Sequence, residues 1–73
     1  MPIQFSDHAL YQLRKRQISK KRATEVVKNS EEIKESYKNR RLRRKVYGDK
    51  ILQIVTITEG SKITVVSGYY LRK

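Results

Sequence analysis

Asn39-Arg40-Arg41-Leu42-Arg43-Arg44-Lys45-Val46-Tyr47 packs five cations into nine residues. A block of this kind forms either a disordered basic tail or localisation signal, or one strand of a folded, cationic sheet. Its neighbours favour the strand. Upstream, from Glu32, the residues alternate: Ile33, Glu35 and Tyr37 point one way, and Lys34, Ser36 and Lys38 the other. Lys38-Asn39-Arg40 then turns the chain. Inside the block, Arg41 to Tyr47 alternate Arg41, Arg43, Lys45 and Tyr47 with Leu42, Arg44 and Val46. Downstream, Gly48-Asp49 is a tight hairpin signal. Ile51 to Thr58 is apolar on both faces, as befits a central strand covered on one side by helices. Glu59-Gly60-Ser61 turns again. A fourth strand, Ile63 to about Tyr70, sets Ile63, Val65, Ser67 and Tyr69 against Thr64, Val66, Gly68 and Tyr70.

The residues before Glu32 read as two helices. Ser6 is an N-cap, Asp7 suits the positive first turn, and Phe5 can staple onto Leu10. Ala9, Leu10 and Leu13 form the inward face, and Arg14, Lys15 and Arg16 close the helix with cations. Ser19 caps a second helix whose inward stripe is Ala23, Val26 and Val27, with Ile18 as its staple and Asn29-Ser30 as its end. The expectation is a single α+β domain over residues 1–73. Its two N-terminal helices pack on one face of a four-stranded, mostly antiparallel sheet and leave the other face free.

Seventy-three residues bury only about 60% of the surface that the unfolded chain exposes. Lys and Arg number 18 against 7 Asp and Glu, a net charge of +11, whose self-repulsion calls for a polyanionic partner. The chain has no cysteine and one histidine, which excludes disulfides, thiol catalysis and a structural zinc site. No cofactor or metal is expected. No run approaches the ~20 apolar residues of a membrane span, and Met1 to His8 lacks the layout of a signal peptide, so a cytoplasmic location is expected.

Arg41, Arg43 and Lys45 would form a cationic ladder on one strand face at steps of about 6.6–6.8 Å, a spacing suited to tracking phosphates. Arg44 adds a further cation. Tyr37, Tyr47, Tyr69 and Tyr70 are interleaved with them, and an exposed tyrosine can stack a base. Lys20, Lys21 and Arg22 sit in a first helical turn, where the macrodipole costs each about 0.3–1 kcal/mol. A phosphate at that N-terminus would offset the cost. Histidine is the side-chain type that ordinarily exchanges protons near neutrality, which makes His8 the candidate acid or base.

His8-Ala9-Leu10-Tyr11-Gln12-Leu13-Arg14-Lys15-Arg16-Gln17-Ile18-Ser19 resembles the H-A-x-x-R-M-x-x-R-G-I-S opening of a family of small prokaryotic domains. Val65-Val66-Ser67-Gly68-Tyr69 resembles the V-V-T-x-Y-like segment that ends them. That family is similar to the RelE-type toxin and colicin-like RNase superfold. Gln12 stands where the family often has Arg, Gln17 replaces a helix-ending Gly, and Lys20-Lys21-Arg22 replaces a usually acidic turn.

The resemblance implies a metal-independent RNA endonuclease of toxin type. The resemblance puts His8, Arg16 and Ser67 at the enzyme's site; residue chemistry makes His8 the acid or base, adds Arg41 and Arg43 to Arg16 on the phosphate, and offers Tyr69 beside Ser67 to position it. Lys20, Lys21, Arg22, Arg44, Lys45 and Tyr47 would bind the nucleic acid. RNA, including ribosome-bound mRNA, is the expected partner, with an acidic antitoxin or immunity protein to restrain the activity. The alternative is a non-enzymatic nucleic-acid-binding module on the same face, and a third reading is a domain that clamps an acidic peptide.

Overall fold

The computed structural model describes residues 2–72. The chain forms β1 (Ile3–Phe5), α1 (Asp7–Lys15), α2 (Lys20–Lys28), β2 (Glu32–Glu35), β3 (Arg40–Tyr47), β4 (Lys50–Glu59) and β5 (Lys62–Arg72). The sheet has five strands in the order β1-β5-β4-β3-β2. The four C-terminal strands form an antiparallel meander, and β1 lies parallel to β5. The architecture is α+β, but the four-stranded, mostly antiparallel sheet expected from the sequence is corrected to a five-stranded mixed one. Ile3–Phe5 is the extra strand: Ile3, Gln4 and Phe5 stand opposite Ile63, Thr64 and Val65. Ile63 N–H donates to Pro2 O at 3.1 Å, and Ser6 N–H to Val65 O at 3.0 Å.

Both helix starts follow local capping chemistry. Ser6 Oγ accepts from Ala9 N–H at 3.0 Å, and Ser19 Oγ from Arg22 N–H at 3.0 Å; each such cap stabilises by about 1 kcal/mol. α1 ends in a Schellman turn, with Ile18 N–H donating to Leu13 O at 2.8 Å and Gln17 N–H to Arg14 O at 3.1 Å. The turn needs a left-handed residue, and Gln17 supplies it at φ 58°. Left-handed backbone costs a side-chain-bearing residue about 1–2 kcal/mol, and glycine avoids that cost while losing about 0.5–1 in chain entropy. Gln17→Gly is therefore expected to raise unfolding stability by about 0.5–1 kcal/mol, readable as a higher urea midpoint at unchanged slope.

The core lies between the helices and one sheet face. Ala9, Leu13, Ile18, Ala23, Val26 and Val27 pack on Leu52, Ile54, Ile63 and Val65. Gly68 lets α1 approach: a Cβ there would stand 2.8 Å from both Leu13 Cδ2 and Ile54 Cδ1. Gly48 and Gly60 take positive φ, 64° and 61°, at the first positions of the two-residue turns joining β3 to β4 and β4 to β5. No helix among the described residues is long and apolar enough to cross a membrane.

The alternation of β3 holds, but its two faces are exchanged relative to expectation. Arg41, Arg43, Lys45 and Tyr47 share the helix side, because Arg43 stands opposite Ile54 and Lys45 opposite Leu52, both core residues. Arg40, Leu42, Arg44 and Val46 take the uncovered face. On β5 the register shifts once, with Val65 opposite Thr56 and Ser67 opposite Val55. Val66 is the extra residue of a β-bulge. Ile63 and Val65 therefore point into the core while Ser67 and Tyr69 point outward, a re-aiming that bulges commonly perform.

Candidate functional site

Parallel pairing of β1 with β5 starts α1 beside the bulge. Ser6 is tied to Val65 through its backbone N–H, so the first turn of α1 hangs over Val66 and Ser67. His8, Ser6, Ser67, Val55, Val66 and Arg40 line one open depression of about 500 Å³ on the uncovered face. Three separate elements thus contribute a histidine, a hydroxyl and a guanidinium to one hollow. Arg40 opens β3, so the sequence-based assignment of this residue to a turn missed it. What could have revealed it was the opposite phase of β3, in which every outward position follows from Tyr47 facing α2.

A row of side chains crosses the same face beside this depression. Glu32, Arg44, Gln53 and Tyr69 stand directly opposite one another on β2, β3, β4 and β5. Arg44 pairs with Glu32 Oε1 at 3.3 Å, and its Nε donates to Gln53 Oε1. Gln53 Nε2 donates to the Tyr69 hydroxyl oxygen, which leaves the phenolic proton available to an outside acceptor. At the end of the row, Arg16 donates to Gly68 O at 3.2 Å, with its guanidinium 5.9 Å from the Tyr69 ring centroid. Gln12 lies one turn from both His8 and Arg16 on α1, and its Oε1 is enclosed without a hydrogen-bond partner.

Ser67 and Tyr69 are two residues apart on one strand face, so the hollow and the row are separated by about 6.8 Å. His8, Arg16, Ser67 and Tyr69, all expected at the site, are on or at the rim of one face. Arg40 and Arg44 supply the cations that the sequence assigned to Arg41 and Arg43. Lys34, opposite Leu42, adds an exposed ammonium to the same side.

The remaining expected residues lie elsewhere, each for a physical reason. Arg43 is 7% exposed. Its Nε donates to Thr56 Oγ1 at 3.0 Å and an Nη to Val27 O at 3.3 Å. It thus satisfies a carbonyl at the negative end of α2. Burial, and then the neighbouring Arg41, draw its pKa below the usual arginine value. Arg41 lines a groove on the helix side. Tyr47 packs against the core and donates to Glu25 Oε1; burial, followed by that hydrogen bond, pushes its phenol up to about 12.

Lys20 and Arg22, in the first turn of α2, each lie over an aromatic ring of the protein itself. Lys20 Nζ lies 5.3 Å from the centroid of Phe5, and the Arg22 guanidinium 4.6 Å from that of Tyr47. Hydrogen bonding to Tyr70 raises the Arg22 pKa, with Tyr47 and Glu25 adding to the effect. Lys21 is exposed on the helical layer, away from the open face. Lys45 is half-buried on the helix side.

Among the described residues, no three His, Asp or Glu side chains come together as metal ligands. A family model described as a domain of unknown function matches residues 5–70. No curated protein and no solved structure matches the chain.

Proposed function

The chain belongs to the DUF4258 family, and from that premise we propose that it is a metal-independent RNA endonuclease acting on the uncovered sheet face. The observation that carries this reading is the convergence of His8, Ser67 and Arg40 on one depression. An RNA phosphate held there would sit between Arg40 and the Arg16–Tyr69 corner. Neutral His8 takes the proton of the adjacent 2′-OH, and the 2′-oxygen forms a bond to phosphorus. The bond from phosphorus to the 5′-oxygen breaks, and that oxygen takes up a proton from the Tyr69 hydroxyl or from protonated His8. The products are a 2′,3′-cyclic phosphate and a 5′-hydroxyl, with no water consumed. Arg40, Arg16 and the Ser67 hydroxyl hold the phosphate as its charge is redistributed.

The motif resemblance of residues 8–19 and 65–69 to a family akin to RelE-type and colicin-like RNases supports the same chemistry by analogy of sequence alone. An acidic antitoxin or immunity protein laid over the cationic face would restrain such an enzyme, which would work in the cytoplasm on free or ribosome-bound mRNA. A second reading, a binding module without catalysis, draws on the cross-sheet row. Arg44 and Gln53 are already committed to one another, as in a fixed platform, and His8 is the one histidine.

Labelled single-stranded RNA incubated with the protein in EDTA separates the two. Cleavage to cyclic-phosphate ends that persists in chelator is the expected outcome. Intact RNA bound with a steep salt dependence would leave only the module.

A further inference from the structure

The cations missing from the open face are not scattered. Arg40 and Arg41 are neighbours on β3 and project to opposite faces of the sheet. Three depressions meet through them. The hollow of His8 and Ser67 includes Arg40. A second, of about 330 Å³ at the hairpin end of the sheet, includes Arg40, Arg41, Lys38, Thr58 and one carboxylate, Glu35. A third, of about 350 Å³ on the helix side, includes Arg41 and Thr58 again, with Arg43 and Lys28 over a floor of Ile3, Val27 and Ile63. Each depression shares a wall residue with the next, so the three follow one another as a track around the end of the sheet with Arg40, Arg41 and Thr58 at the joins.

We propose that this track carries the substrate: a single-stranded RNA that passes from the His8 hollow around the β2–β3 end of the sheet and seats a base in the apolar groove behind it. The proposal rests on the endonuclease reading for what happens at His8, but not for the path. Phosphates on the strand meet Arg40, Lys38 and Arg41 in turn. Tyr37, 73% exposed at the corner, offers a ring on which a base can stack. In the third depression the floor is apolar and the rim cationic, which suits a flat, aromatic base attached to an anionic backbone. The Arg41 guanidinium can stack on that base or pair with its phosphate. Thr58 Oγ1, between the second and third depressions, is enclosed and has no hydrogen-bond partner in the free protein.

Stiffness decides which nucleic acid fits. The protein measures 34 × 23 × 21 Å, whereas duplex DNA bends smoothly only over a persistence length of about 50 nm. A duplex therefore contacts one face at a time. A single strand, free to rotate about its backbone bonds, can follow the turn.

Anisotropy with labelled 2′-O-methyl RNA, which cannot form the cyclic product, tests the path without cleavage. The probes are a dinucleotide, a ten-nucleotide single strand and the same ten-mer as a duplex, read across a salt series in EDTA. The single-stranded ten-mer is expected to bind more tightly than the duplex. Arg41→Ala is expected to weaken the ten-mer more than the dinucleotide and to reduce the salt slope of the ten-mer by about 0.7, the contribution of one phosphate contact on a single strand. Lys28→Ala, at an exposed helix end, should show the same length dependence and guards against a folding defect. Equal losses at both lengths, no loss at either, absence of ten-mer binding, or a duplex bound as tightly as the single strand would each overturn the path. Cleavage of an all-ribose ten-mer is read separately. If it fails while the length-dependent binding holds, the endonuclease reading falls and the path stands.

Discussion

If the chain cleaves RNA as proposed, His8→Ala is expected to lower the rate in EDTA by about 10²–10⁴-fold, the usual contribution of a positioned acid or base, while affinity for single-stranded RNA changes little. His8 is exposed and outside the core, so stability should stay within about 0.5 kcal/mol of the parent. A loss of this size with affinity retained locates the proton transfer at residue 8. A variant that cleaved as fast as the parent would transfer that role to the Tyr69 and Arg16 corner, and the hollow would be a binding site only.

Arg43→Ala has the opposite profile. Truncation removes the donor to Thr56 Oγ1 and to Val27 O, leaving the Val27 carbonyl without that partner, Thr56 Oγ1 with only its long contact to Arg41 O, and a void beside the end of α2. A buried group left unpaired costs about 1–3 kcal/mol and the lost packing adds to it, so the expected loss is about 2–4 kcal/mol, a large share of the stability of any small domain. At about 4–8 °C per kcal/mol for a domain of this size, thermal unfolding should shift down by about 8–30 °C. Arg40→Ala is the control on the same strand. It should leave the melting temperature nearly unchanged and weaken RNA binding, since its guanidinium lies on the open face. If Arg43→Ala melted with the parent and lost RNA affinity instead, the phase of β3 described above would be wrong.

These two arginines show what the sequence makes legible and what it leaves open. Alternation along residues 41–47 correctly groups Arg41, Arg43, Lys45 and Tyr47 on one side, because a strand has a period of two. It carries no sign. Cations are ordinarily solvent-facing, so the group with three of them reads as the free face. What overrides this is Arg43 serving the carbonyl end of α2 and Tyr47 reaching Glu25, two interactions specified by the helix and not by the strand.

The fourth strand shows a related limit. An unbroken period puts Ser67 and Tyr69 beside Ile63 and Val65. The bulge at Val66 breaks it, and nothing in Val65-Val66-Ser67 announces the break. The caps, by contrast, were fully readable, since Ser6 and Ser19 act through neighbours three residues away. So were the two glycine turns and the apolar β4. Ile3–Phe5 escaped because three residues are too few to display a period, and their hydrogen-bonding partner lies sixty positions downstream. His8, Arg16, Ser67 and Tyr69 were named from resemblance and residue chemistry. The meeting of His8 with Ser67 in one hollow, beside the Arg16–Tyr69 corner, depends on that short strand, which no local pattern announces.

Because Ile3–Phe5 can dock only once Ile63–Val65 has been made, the shortest strand of the sheet must wait for a partner synthesised sixty residues later. During translation, residue 8 has no residue 67 to stand beside, and the hollow does not exist until residue 67 has left the ribosome. Pairing over so long a loop is also among the slower steps a small domain takes. A copy that stops short of Ile63–Val65 therefore lacks the partner on which Ile3–Phe5 docks, and with it the hollow.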